Sequence, residues 1–520
     1  MGTYINPFSD KANTLASQLD EAFDKKDVSA IENLIDSAKQ IVNDSTSSQW
    51  QIQENNASKA YICYSIATSY GDIGQLTNTS SDEDLVKNQL YYYRESICFI
   101  EDKEYTQERY SPYVLGLKQN LYTNYGNTLK LCGRFISAIE QYLKALCINR
   151  NCGMALGNLG HLYQQYALLT YDNFHRDYLN NIAYHNLCEA VESNDTNMYD
   201  KARSGFKKCL EYYDKDYISK ILLPDLSIPK KEFETTEENL YRQWGLRHHL
   251  FLNPLNSLPF IENYFAMDEI NLPNMIAKIN DKPIYHGMFN QIKQEYIYAR
   301  YLYYSSLQNQ IQPHFADRDT KLINLSDYPQ YSMRIESLKS AYKTLFGLFD
   351  KIAYFLNSYF DLGINEIDVS YSSIWQRCHG KQGKSGYYAY RNTLDANSNI
   401  ALAALYWIRK DFSDSFNAST TPYLKRIKEI RHAFEHKYVK IVDNRLCCDY
   451  ESGKYDDLVL YVSESEMYRI TLDLLKLLQE SIICLSLCVQ IEEERKIDNL
   501  PPNAMICPIR FIEYDDDWKI

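Results

Sequence analysis

Glycine and proline are scarce in this 520-residue chain, at 18 and 14 residues. Too few turn-formers are present for a turn-rich all-β fold. With 45% hydrophobic residues the chain is also too apolar for disorder. Positive charge is in deficit, with a net charge of −13. That excludes indiscriminate binding to nucleic acid, so any such contact must come from a local basic patch. No apolar run approaches the roughly 20 residues of a membrane span. The opening "MGTYINPFSD" has neither the basic nor the apolar region of a signal peptide, and Asn6 stands where myristoylation wants Ser or Thr. The 13 cysteines are scattered and odd in number, with no disulfide framework. Reduced thiols, a cytoplasmic location and no membrane association are therefore expected. The adjacent Cys447 and Cys448 read as incidental. What is abundant is tyrosine, at 47 residues. The length suits roughly two to four domains.

A period of 34 runs through the first half. In "NYGNTLKLCGRFISAIEQYLKALCINR", Asn124 and Gly126 recur as Asn158 and Gly160, with Gly133, Ala138, Tyr142, Ala145 and Leu146 between them. Small residues let paired helices approach closely, and aromatics fill the next groove. The pattern resembles a tetratricopeptide repeat, a helix–turn–helix unit of that length, with Arg150 in place of its terminal proline. Weaker units are read in "AYICYSIATSYGDIG" with "LYYYRESICFIE", and in "AYHNLCEA" with "YDKARSGFKKCLEYY". Three to four units are assigned to residues 1–215, because a repeat needs neighbours to bury its faces. Arrays of this kind bind protein partners or triggers. His161, His175 and His185 are spread out and read as surface or satisfied histidines.

Residues 216–330 read as a connecting, partly helical segment: four prolines and little helical period at first, then helix over 286–308. It is too apolar for a flexible linker. Residues 331–500 read as long helices. "YSMRIESLKSAYKTLFGLFDKIAYFLNSYFD" has helical apolar spacing and stops before Gly363. A helix follows at about 395–411, and another opens with Pro422 in its first turn. The last opens with a capping box, Ser463 to Glu466. Two strand-like runs, "RLCCDY" and "LVLYV", flank the turn "YESGKYDD". Residues 501–520 form a tail.

The stretch "EIRHAFEHK", residues 429–437, permits three readings. On a helix, Arg431 and Glu435 are one turn apart, and so are His432 and His436. The first reading is an ordinary ion pair beside solvent-facing histidines. The second takes "HAFEH" as H-x-x-E-H, a zinc pair with Glu435 as base and Glu513 as third ligand. The third takes Arg431 to His436 as R-x4-H. This resembles the motif of the HEPN superfamily, and the likeness covers residues 331 to about 497.

That resemblance implies an all-α chain: a tetratricopeptide-like array, then a HEPN four-to-five-helix bundle with a small β-hairpin insert. It implies a metal-independent endoribonuclease of toxin or antiviral-defence type, needing no cofactor and no metal. A homodimer through the bundle would pair two motifs across one cleft. His436 would be the main general acid/base, Arg431 would bind phosphate and His432 would assist. Asp350, a polar break in an earlier apolar helix, is an auxiliary candidate. The alternative is a non-catalytic interaction and dimerisation scaffold. Local charge fits RNA: Lys428 and Lys437 flank the motif, and "WQRCHGKQGKSGYYAYRN" supplies Arg377, Lys381 and Lys384 among aromatics. Its "GKQGKSG" fails as a phosphate loop, because Cys378 stands where glycine is required.

Overall fold

The computed structural model describes residues 4–43, 55–101, 110–196, 198–221, 231–260, 262–278, 281–308, 312–324, 328–379, 387–390, 394, 398–411, 422–443, 458–504 and 512–519. The architecture is all-α with small β elements. Among the described residues, ten helices lie up to Ile221: α1 (Asp10–Asp24), α2 (Val28–Asn43), α3 (Asn56–Thr77), α4 (Glu83–Ile100), α5 (Ser111–Leu131), α6 (Phe135–Ile148), α7 (Gly153–Leu169), α8 (Asn173–Glu192), α9 (Asp200–Leu210) and α10 (Lys215–Ile221). Side-chain caps start many of them. Ser9, Asn55, Asp82 and Asp172 each accept a first-turn N–H, which would otherwise lack a partner.

Close packing of α5–α6 and α7–α8 explains the 34-residue period. A Cβ added at Gly126 would lie 2.7 Å from the ring of Tyr142 on α6. At Gly160 it would lie 2.9 Å from Leu187 on α8. Gly133 turns the chain between α5 and α6 at φ +74°, a conformation glycine adopts without strain. The run at 183–190 belongs to α8, which packs chiefly on α7 and less on α9.

The connector takes in most of α10 and, unforeseen by the proline-rich reading, α11 (Thr236–Arg247). Thr235 caps it by accepting from Glu238 N, and Glu238 in turn accepts from Glu234 N. Beyond it, Leu250, Phe251, Leu252 and Leu255 are wholly buried. Arg300 of α12 (Ile284–Ser306) ties them down. It donates to Leu250 O at 2.8 Å and to Asp268 at 2.7 Å, with Phe251 under its guanidinium.

The remaining helices among the described residues are α13 (Met333–Tyr359), α14 (Ile400–Asp411), α15 (Pro422–His436) and α16 (Glu464–Asp498). Ser463 caps α16 as the capping box requires. By length and composition α16 could cross a membrane, contrary to the expectation that no run approaches a span, but 78% of its most apolar stretch is buried. It is the central helix of the core and packs on α7, α12, α13 and α14. One hydrophobic core runs from Ala57 to Val489, while α1 and α2 pack on α3 around a second, smaller cluster.

Ions cross between the two halves inside that core. Asp411, at the end of α14, accepts from Arg94 and Arg134 at 2.8 and 2.7 Å. Arg134 also reaches Glu480 of α16 at 3.1 Å, and Glu480 accepts from Ser137 N and Oγ. All four charged side chains are at most 10% exposed.

Two β pairs are present among the described residues. β1 (Gln376–His379) and β2 (Tyr387–Tyr390) are antiparallel. β3 (Tyr438–Val442) and β4 (Val459–Ser463) run parallel, Tyr438 opposite Val459. "LVLYV" supplies β4, whereas "RLCCDY" lies outside the described residues. The partner of β4 comes from directly after α15. A parallel pair needs a crossover rather than a tight turn.

Candidate functional site

The motif helix α15 lies against α13 through one row of side chains. Tyr342, Phe346 and Asp350 are spaced by four and so share a face of α13. The Tyr342 hydroxyl donates to Ile427 O at 2.7 Å. Burial pushes its phenol well up, so it remains a donor. Its ring lies 5.3 Å from that of Phe434. Ile427, Ile430 and Ala433 are buried beneath α15. Arg426 holds the outer side of the helix by bonding Glu466 at 3.1 Å and Tyr461 O at 3.0 Å. This arginine therefore has a structural use.

Arg431 emerges above this row, its guanidinium carbon 4.4 Å from the Phe346 ring centroid. A cation stacked on an aromatic face is attracted by the ring quadrupole and held in plane. Two carboxylates reach it: Glu435 at 3.1 Å through Nε, and Asp350 at 3.4 Å. The other oxygen of Asp350 accepts from Tyr371 N at 2.9 Å. Asp350 is thus clasped between a backbone amide and Arg431. The i,i+4 ion pair expected of Arg431 and Glu435 forms.

His432 and His436 also lie one above the other, with ring centroids 4.8 Å apart. His436 is exposed and closes the helix. Its Nε2 is 3.8 Å from the second oxygen of Glu435. One carboxylate therefore spans the arginine and the last histidine. Lys437 is exposed beside them, and Lys440 lies over the Tyr461 ring at 5.8 Å.

The structure brings Arg431, His432, His436 and Asp350 together. Lys381 and Lys384 lie outside the described residues, and of Arg377 and Lys428 only the backbone is described. Glu513 acts electrostatically on Lys293 of α12. Among the described residues, no group of three or more His, Cys, Asp or Glu side chains is placed to hold a metal ion. Sequence reasoning missed Phe346 and Tyr342, although their four-residue spacing from Asp350 was visible.

Chemically, the exposed face offers a stacked guanidinium for an anion and two imidazoles for proton transfer. No curated protein and no solved structure matches the chain. Residues 276–492 match the family model described as LA2681-like HEPN, a stretch that includes α12 to α15 and most of α16. The part of the chain that carries the Arg431-to-His436 motif thereby falls with the HEPN superfamily.

Proposed function

We propose that this protein is a metal-independent endoribonuclease. The observation that carries the reading is the placement of Arg431 and His436 at the exposed end of one helix, within the HEPN-matched region, bridged by a single carboxylate. Ribonuclease activity is common among HEPN domains. In this reading the RNA 2′-OH attacks the adjacent phosphate. Arg431 binds that phosphate and stabilises charge as the phosphorane forms. His436 moves the protons, with His432 assisting. Asp350 and Phe346 hold the guanidinium in place. Lys428, Lys437 and the loop bearing Arg377, Lys381 and Lys384 draw in single-stranded RNA.

A homodimer through the bundle supplies the second motif of a composite cleft. The N-terminal helical pairs serve as a tetratricopeptide-like array that receives a protein partner or trigger, in a cytoplasmic toxin or antiviral-defence effector. The close contacts at Gly126 and Gly160, 34 residues apart, support that reading of the array. A second reading, an interaction and dimerisation scaffold without catalysis, is favoured by the double pairing of Arg431 with carboxylates.

The test is incubation with total RNA in EDTA. Chelator-resistant cleavage is expected, reduced about 10²–10⁴-fold in His436→Ala, the usual size of a general acid/base effect. Arg431→Ala should lose both binding and rate. If the protein cuts no RNA yet remains an intact dimer, the scaffold reading replaces the nuclease.

A further inference from the structure

The motif helix carries a residue to which the proposed chemistry gives no step. Glu435 reaches Arg431 Nε with one oxygen at 3.1 Å and His436 Nε2 with the other at 3.8 Å. Those are the two groups between which the proposed chemistry puts a phosphate. A carboxylate and a phosphate are interchangeable to a guanidinium: both are anions with paired oxygens that accept from its N–H groups. We propose that Glu435 stands in the place of the scissile phosphate when no RNA is bound, and that RNA must displace it before the site can act. The inference rests on the nuclease reading and adds its regulation.

The second carboxylate on Arg431 behaves differently. Asp350 is fixed by Tyr371 N at 2.9 Å on its far side, and it sits on another helix. Among the described residues Glu435 has no such anchor: its side chain is 51% exposed and its polar contacts are with Arg431 and His436. A glutamate has three side-chain torsions, so it can swing outward while the helix stays in place. Asp350 and Phe346 would then keep the guanidinium oriented for the incoming phosphate. Displacement is easy because exposed ion pairs of this kind are weak. A negative charge left about 4 Å from a bound phosphate, however, repels it appreciably. Glu435 therefore lowers RNA affinity and keeps weakly held anions off the site.

Neutralising this one charge tests the idea. Binding of an uncleavable 2′-O-methyl oligonucleotide would be followed by fluorescence anisotropy in EDTA, and cleavage would be followed on total RNA. Glu435→Gln should bind about tenfold tighter and cut faster at low RNA concentration. Glu429→Gln removes the same charge from the same helix, but its partner is Arg426 at 3.4 Å, so it should change affinity less than about twofold. Combined with Arg431→Ala, Glu435→Gln should give no gain. Equal gains from Glu429→Gln, a gain that survives loss of Arg431, or no gain in a wild-type protein that does cut RNA would each remove the placeholder role alone. A wild-type protein that neither binds nor cuts RNA through Arg431 would overturn the nuclease reading with it.

Discussion

Removal of Asp411 is the sharpest test of how the two halves are joined. Its carboxylate is 4% exposed and accepts from Arg94 Nη1 at 2.8 Å, Arg94 Nη2 at 3.1 Å and Arg134 Nη1 at 2.7 Å. Together Arg94, Arg134, Asp411 and Glu480 make a neutral quartet. Asp411→Ala leaves two buried guanidinium groups facing one carboxylate, so a net positive charge stays out of water. Breaking a buried pair in this way costs about 3–5 kcal/mol, well above the contact's own net worth, because desolvation is no longer offset. Replacing both members, Arg94→Met with Asp411→Leu, restores neutrality and leaves Arg134 with Glu480. The double variant should therefore be more stable than Asp411→Ala alone. A double-mutant cycle should give a coupling energy of about 2 kcal/mol or more. Guanidinium unfolding followed by circular dichroism and tryptophan fluorescence measures it. A loss below about 1 kcal/mol for Asp411→Ala, or additive single effects, would refute the claim that this network is desolvated and joins the halves.

Within α5, Gly126→Ala should destabilise by about 1–3 kcal/mol, because its methyl would press on the buried Tyr142 ring. Gly116→Ala in the same helix has nothing within 4 Å of the new methyl and should stabilise by up to about 1 kcal/mol in the same unfolding assay. Burial, aided by Lys130, lowers His161 to about 4. The unfolded chain then binds the extra proton between its ordinary value, about 6.5, and 4. Stability is thus lost as pH falls through that window, and His161→Gln should flatten the fall of Tm with pH there. A wild-type Tm that declines no faster than the variant's would contradict the burial of this ring.

Much of the fold was legible because helical signals are local. Pro422, Gly363 and the Ser463 cap fall where the sequence placed them, and Gly126 and Gly160 each sit at a close contact between neighbouring helices. The motif was legible too, since one turn of helix determines which pairs of side chains meet. What remained hidden depends on distant partners. The α11 helix was obscured by neighbouring prolines, although Thr235 and Glu238 formed a readable cap. The pairing of β4 with β3 could not be inferred from its flanking turn, because parallel partners lie across a crossover. Phe346 was not singled out until Arg431 was placed over it, and Asp350, read as an auxiliary candidate at a polar break, gave no sign of its second partner, Tyr371 N. The ionic quartet joins residues 277 to 346 positions apart, beyond the reach of any spacing rule.

The α16 helix has a mechanical consequence. Its 35 residues contain no glycine or proline, so it has no built-in hinge. Near its middle, Glu480 is bonded to Arg134 of the N-terminal helices. At its start it continues from β4, which is zipped to the strand that directly follows His436. The two attachments are 17 residues apart between Ser463 and Glu480, or roughly 25 Å along the axis at the usual helical rise. A rod of that length tilted by about 5° at Glu480 carries its far end through about 2 Å. Any load that shifts the N-terminal helices against the bundle is thus delivered, with leverage, to the strand that follows His436.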